Sequence, residues 1–300
     1  MAFFDGHKTE EVTLENSALY ESELGAGALV LECLQFEAEL FKEAVSADIT
    51  EYGMVQEGAD VTAFVEGTFE NVKTKVVEFF QKLWAKIKAV FNGFYAKISA
   101  RLMSDNKAFY NKFKKKVEGK NLADLKIKYA KFKGFDYNPG DVSAWVTETN
   151  AEKTSEELKV EMISKITGVA VDRSSDIKAK VMEDAFGEET EVAYNSVASE
   201  IVTDMVGGKW LDDAKKAEKE LNKAVTKSIA DIKKANKETK NLTTITGAYA
   251  SVVSTLAGLS VAVAKKRASQ ARKAFAKAVA FHEGAEFDAD LIAVEADGLM

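Results

Sequence analysis

The 300-residue chain has one proline, Pro139, where average usage would place about fifteen. So few turn-forming residues argue against a many-stranded β-sandwich and favour long, uninterrupted helices. It has one cysteine, Cys33, which excludes a disulfide framework and a cysteine zinc site. Its two histidines, His7 and His282, lie near opposite ends. That removes most histidine-based metal and nucleophile chemistry. No basic stretch followed by an apolar run of signal length opens the sequence, so export by that route is not expected.

Hydrophobic residues make up 46 % of the chain, an ordinary share for a folded protein. The net charge of −7 conceals a pattern. Residues 1–60 carry 2 basic and 14 acidic side chains; residues 61–135 carry 17 and 6. Residues 136–205 carry 6 and 16, residues 206–282 carry 16 and 6, and residues 283–300 carry none and 6. Alternating blocks of this size imply ionic pairing between segments, or partners selected by charge.

Periodicity gives the coarse architecture. A helix is expected from about Ala28 to Ala47. The strongest helical signal covers 69–102. One apolar row holds Phe69, Val72, Val76, Phe79, Leu83, Ile87, Val90, Phe94 and Ile98. A second row holds Val77, Phe80, Trp84, Phe91, Tyr95 and Leu102. Gly93 is a candidate bend, and Ser104 a candidate cap for a second helix that carries Lys112 to Lys116 near its end. Residues 211–239 form another amphipathic helix. Asn241 to Ala264 is free of charge and long enough to cross a bilayer, but it is rich in serine, threonine and glycine. A small-residue helix buried in a bundle fits that composition better than a span, and it should run on to about Phe281.

The middle is mixed. Leu125 to Tyr129 alternates apolar and basic residues, a strand signature. Phe132 to Tyr137 would extend it or return through Gly134. Thr154 or Ser155 with Glu157 opens a helix carrying Leu158, Met162 and Ile166. Val169 to Val171 reads as a short strand, and Asp176–Met182 and Glu191–Met205 as helices, the latter ended by Gly207-Gly208. The fold class expected is therefore mainly α: long amphipathic helices in a bundle with a small α+β middle segment. Its divisions are an acidic segment 1–60, basic helices 61–119, a small acidic α+β block 120–208, a basic helical hairpin 209–282 and an acidic tail 283–300.

Motifs for chemistry fail on inspection. Gly207-Gly208-Lys209 lacks the first glycine of a phosphate loop, and Trp210 stands where a serine or threonine should hold magnesium. Asp288, Asp290 and Glu295 lack the frame of a calcium loop. Glu156-Glu157 and Glu188-Glu189 read as solvated charges. No active site, metal site or cofactor is assigned, and no enzymatic activity is expected. Lysines remain as candidates for nucleic-acid contact: Lys112, Lys114, Lys115 and Lys116 on a helix, Lys126 and Lys128 on a strand beside Tyr129, Phe132 and Phe135. The plainer alternative for the strand lysines is one solvated face.

One region carries a resemblance. Val76 to Lys88 (VVEFFQKLWAKIK) leads into Phe94-Tyr95-Ala96-Lys97-Ile98. Ser104 to Phe113 (SDNKAFYNKF) and then Phe132-Lys133-Gly134-Phe135 follow. This order resembles internal head, or prohead core, proteins of large tailed bacteriophages over roughly residues 65–137. The resemblance implies a non-enzymatic virion structural protein inside the head, present in the host cytoplasm during assembly. Its partners would be other virion proteins, a prohead protease and packaged DNA. It also implies trimming after glutamate, with Glu21 (in Leu19-Tyr20-Glu21) and Glu295 (in Ala293-Val294-Glu295) as candidate positions. The segment 1–60 would then have the character of a propeptide. The acidic ends would shield the basic helices until removed, after which phosphate contacts would be salt-dependent and sequence-independent. The competing reading is a membrane-active or oligomerising helical protein built on the 69–102 and 241–264 helices; a membrane is not the expected partner.

Overall fold

Residues 61–235 and 242–283 are described by the computed structural model. The helix expected over 28–47 and both candidate processing positions, Glu21 and Glu295, lie outside the described residues. Seven α-helices and one two-stranded sheet make up the described part. They are α1 (Val61–Gly93), α2 (Ala100–Val117), β1 (Lys126–Tyr129), α3 (Ser155–Thr167), α4 (Ile177–Phe186), β2 (Thr190–Ala193), α5 (Tyr194–Val202), α6 (Lys209–Lys234) and α7 (Leu242–Glu283). The fold is mainly α with a small α+β part.

Helix α7 is the axis. It packs against all six other described helices and against β1. That surround explains why residues 242–264 carry no charge. Four of their hydroxyls are satisfied within the helix: Thr246, Ser254, Thr255 and Ser260 each donate to the carbonyl four residues back. Tyr249 is fully buried and donates to the Pro139 and Gly140 carbonyls (3.2 and 3.1 Å). Most of the apolar stretch that could span a bilayer is thus enclosed in the core. The main hydrophobic cluster draws on α1 (Phe80, Leu83, Ile87, Phe91), α3 (Leu158, Met162) and α6 (Leu221, Val225), all around Ile245 to Leu259 of α7.

The buried line along α1 is Val72, Val76, Phe80, Leu83, Ile87 and Phe91, and Phe94 continues it. It takes members from both apolar rows, because a straight helix of 3.6 residues per turn crosses between rows by mixing steps of four and three.

Several expectations need correcting. Ser104 does not cap a second helix; it lies inside α2. The first α-helix ends at Gly93, the candidate bend, but it does not run into a loop there. A single π-helical turn, Phe94–Ser99, joins α1 to α2 and leaves the path helical throughout. The wider turn re-phases the buried face. Phe94 meets Trp210, Ala264 and Ala268, and the face of α2 then reaches the second half of α7.

Gly134 makes no hairpin. The partner of β1 is β2, antiparallel, with Lys126 opposite Ala193 and Lys128 opposite Glu191. Residues 191–193, expected in a helix, are that strand, and the helix starts at Tyr194. Residues 130–141 form no strand because other elements fix them. The Lys133 N–H donates to the Ala185 carbonyl (2.8 Å), Phe132 packs on Phe186, and Tyr137 hydrogen-bonds Ser260 (2.7 Å). Val169 to Val171 is not a strand; the Val171 N–H donates to Ser164 Oγ instead. Helix α6 ends at Lys234, short of the expected 239.

Two termini are as expected. Thr154 and Glu157 form a reciprocal capping box at the start of α3, and Gly168 closes that helix at positive φ. Gly208 precedes α6 with φ 63°, and a Cβ there would lie 2.7 Å from Met103 Cε. The Met103 tip is flexible and can give way, so it is the positive φ that favours glycine there.

Candidate polyanion-binding surface

The candidate lysines sit on two elements over one hydrophobic floor. Leu122, Leu125, Ile127, Tyr129, Tyr194, Ile201, Phe275 and Val279 form the floor, and Phe109, Phe113 and Val117 of α2 pack against it. Lys114, Lys115 and Lys116 occupy the last turn of α2, where a positive charge suits the carbonyl end of the helix. Lys126 and Lys128 point outward from β1 while Ile127 and Tyr129 point inward.

Helix α2 runs in the same direction as the second half of α7. Asn106 Nδ2 donates to the Ala268 carbonyl, and further along Phe109 and Tyr110 meet Phe275 (5.8 and 5.1 Å between ring centres). The two helices therefore end at the same end of the molecule. Along their junction runs a ridge of cations over aromatic rings. The Arg272 guanidinium lies 5.1 Å from the centre of Phe109. Phe109 leans on Phe113 at 5.0 Å, and Lys112 and Lys116 flank Phe113 at 5.1 and 5.3 Å. Such contacts hold the cations in place without neutralising them.

The strand lysines differ. Lys128 faces Glu191 across the ladder, on a strand that follows Glu188 and Glu189. A carboxylate in that register weakens an approaching phosphate's attraction. Three lysines of α2 have no such neighbour: among the described residues, Lys112, Lys114 and Lys115 have no carboxylate at ion-pairing distance. Arg272 does not stand out in the sequence. Its only signal there is its place in a long basic run, and the ring contact that marks it depends on the phase set by the π turn.

On the other basic helix, α6, two lysines pair with the middle segment. Lys216 meets Asp136 (2.8 Å), and Lys227 meets Asp141. Burial acts to raise the Asp141 pKa, but Lys227, Ser143 and the Ala144 N–H hold it below the ordinary carboxylate value. These contacts clamp the 130–141 segment onto α6.

The strongest charge cluster is buried and structural. Arg267 of α7 grips Asp204 with two bonds (Nε to Oδ2 3.1 Å, Nη2 to Oδ1 2.6 Å) and Asp213 with a third (2.6 Å). Its guanidinium stacks on Phe132 at 4.2 Å. The Trp210 N–H donates to the Asp204 carbonyl (3.0 Å). Burial pushes the Asp204 carboxyl above its ordinary value, and Arg267 offsets that push only in part. The bidentate fork is closed on its two carboxylates, so this cluster holds elements together and is not a binding site.

Comparison with known proteins adds no relative: no family model matches the chain, and neither a curated protein nor a solved structure does. Among the described residues, no three His, Cys, Asp or Glu side chains group where they could hold a metal.

Proposed function

We propose that this chain is a non-enzymatic structural protein of a tailed-bacteriophage virion, located inside the head or in the prohead core, where it contacts packaged DNA. The observation that carries this reading is the cation ridge on α2 and α7. Its Lys112, Lys114 and Lys115 lack counter-charges among the described residues, while Lys216 and Lys227 of α6 have them. A surface of that kind suits a partner of uniform negative charge and no particular sequence. The resemblance over residues 65–137 supports the same reading; it spans α1, α2, β1 and the start of the clamped segment. Other virion proteins and a prohead protease complete the proposed partners, with trimming after Glu21 and Glu295. Of the two helices on which the membrane-active alternative rests, the uncharged stretch of α7 is mostly enclosed by protein, which weighs against that alternative.

Peptide mass spectrometry of purified, DNA-filled particles tests this. The expected result is the chain itself, with peptides beginning at Ser22 and ending at Glu295. Intact termini would remove the trimming. Absence of the chain from purified heads would overturn the whole reading.

A further inference from the structure

We propose that residues 284–300 dock, within the same molecule, on the ridge formed by Lys112, Lys114, Lys115, Lys116 and Arg272. The inference narrows charge shielding to one segment and one surface. It rests on charge and geometry and does not need a virion location.

Three observations support it. The first is what each block pairs with. Asp136, Asp141 and Asp204, all from the acidic middle block, are taken by Lys216, Lys227 and Arg267 of the second basic block. In the first basic block, Lys112, Lys114 and Lys115 of α2 have no ion pair among the described residues. A carboxylate partner for them, beyond solvent counter-ions, would come from residues 1–60, from residues 284–300 or from another molecule.

The second is position. The two helices run together, so Glu283 leaves α7 beside the last turn of α2. Residues 1–60 enter at the other end. Lys73, near the start of α1, donates to the Ala235 carbonyl (3.3 Å), just before α7 begins. The 42 residues of α7 separate the two ends by about 60 Å at 1.5 Å per residue. A tethered segment that starts next to its site has a far higher effective concentration there than one tethered across the molecule.

The third is chemistry. Residues 284–300 carry Glu286, Asp288, Asp290, Glu295 and Asp297 and no basic residue. Phe287, Leu291 and Ile292 lie between these carboxylates and can meet the half-buried rings of Phe109 and Phe113. Cutting after Glu295 would leave four of the five carboxylates in place, so the contact is compatible with trimming. Docked acidic residues would compete with phosphates for the same cations and make the ridge available only to a dense polyanion.

Zero-length carbodiimide cross-linking of the full chain, read by peptide mass spectrometry, tests the contact directly. Cross-links are expected between Lys112, Lys114, Lys115 or Lys116 and Glu286, Asp288 or Asp290. They should fall at least about tenfold in roughly 0.5 M salt, by the screening expected at high ionic strength. An equal mixture of isotope-labelled and unlabelled chains should give no mixed pairs. Links of these carboxylates only to lysines elsewhere, mixed-isotope pairs, or α2 lysines linked instead to residues 1–60 would each overturn the proposal. No DNA is present, so failure here is distinct from failure of the virion reading.

Discussion

Replacing Arg267 by methionine should be among the most damaging single changes in the described fold. The Asp204 side chain is 0 % exposed and that of Arg267 4 %. Methionine keeps an apolar stem but removes both bonds to Asp204, the bond to Asp213 and the stacking on Phe132. Asp213 is 43 % exposed and can turn to water, so the effect there is small. Asp204 cannot. Breaking a buried pair from one side costs about 3–5 kcal/mol, because an uncompensated charge is left behind. That is a large part of the roughly 5–15 kcal/mol that holds a typical domain together. The double variant Asp204→Leu with Arg267→Met removes both charges and should recover most of the stability, to within about 1–2 kcal/mol of the parent. Urea denaturation of the parent, both single variants and the double variant, followed by far-ultraviolet circular dichroism, gives the coupling. The sign of the pH effect is also fixed. In the Arg267→Met chain burial is the dominant influence on Asp204, so its folded pKa stands above its unfolded one. The penalty belongs to the ionised form and should shrink as pH falls from about 7 toward about 5. Additive single-variant costs, a destabilisation below about 1 kcal/mol or a penalty independent of pH would refute the reasoning.

Two further outcomes are expected. Combined Lys112→Gln, Lys115→Gln, Lys116→Gln and Arg272→Gln substitutions should weaken binding to a random-sequence DNA duplex. The slope of log affinity against log salt should become shallower by about 0.9 for each phosphate no longer neutralised, while Lys216→Gln with Lys227→Gln leaves it unchanged; fluorescence anisotropy over a salt series reads both. Thr154→Ala removes the acceptor of the Glu157 N–H at the start of α3 and should cost about 1 kcal/mol in chemical unfolding; no measurable change would mean the capping box is redundant.

The sequence disclosed those parts of the fold that depend on local rules. Helices α1, α3, α6 and α7 follow from periodicity and capping residues, which act within one or two turns. The serines and threonines of α7 correctly marked a helix enclosed by protein, because a hydroxyl can be satisfied by its own helix, as those of Thr246, Ser254, Thr255 and Ser260 are. What escaped was set by distant contacts. The partner of β1 lies more than sixty residues away, and nothing in Thr190–Ala193 separates a short strand from the first turn of a helix. Tyr137 is held by Ser260 and Lys133 by Ala185, so the segment between them has fixed geometry without regular structure. The π turn at Phe94–Ser99 left no composition signal, yet it decides which face of α2 meets α7.

The candidate surface divides along the same line. Lysine clusters are visible in any sequence, but a lysine is available to a partner only if the fold has not already used it. Lys216 and Lys112 look alike in the sequence, each in a basic helical block. The fold gives Lys216 a carboxylate from a clamped loop and gives Lys112 an aromatic ring. The exposed carboxylate offsets the charge of Lys216 in part, and the ring only orients Lys112. Net charge by block therefore says that pairing must occur somewhere, and tertiary contacts say where it has already been satisfied. By that test the middle acidic block serves α6 and α7. Lys112, Lys114, Lys115 and Arg272 are among the cations with no carboxylate at ion-pairing distance among the described residues, and they lie beside the point where the last acidic segment departs. An acidic segment and a DNA phosphate backbone compete there for the same cations.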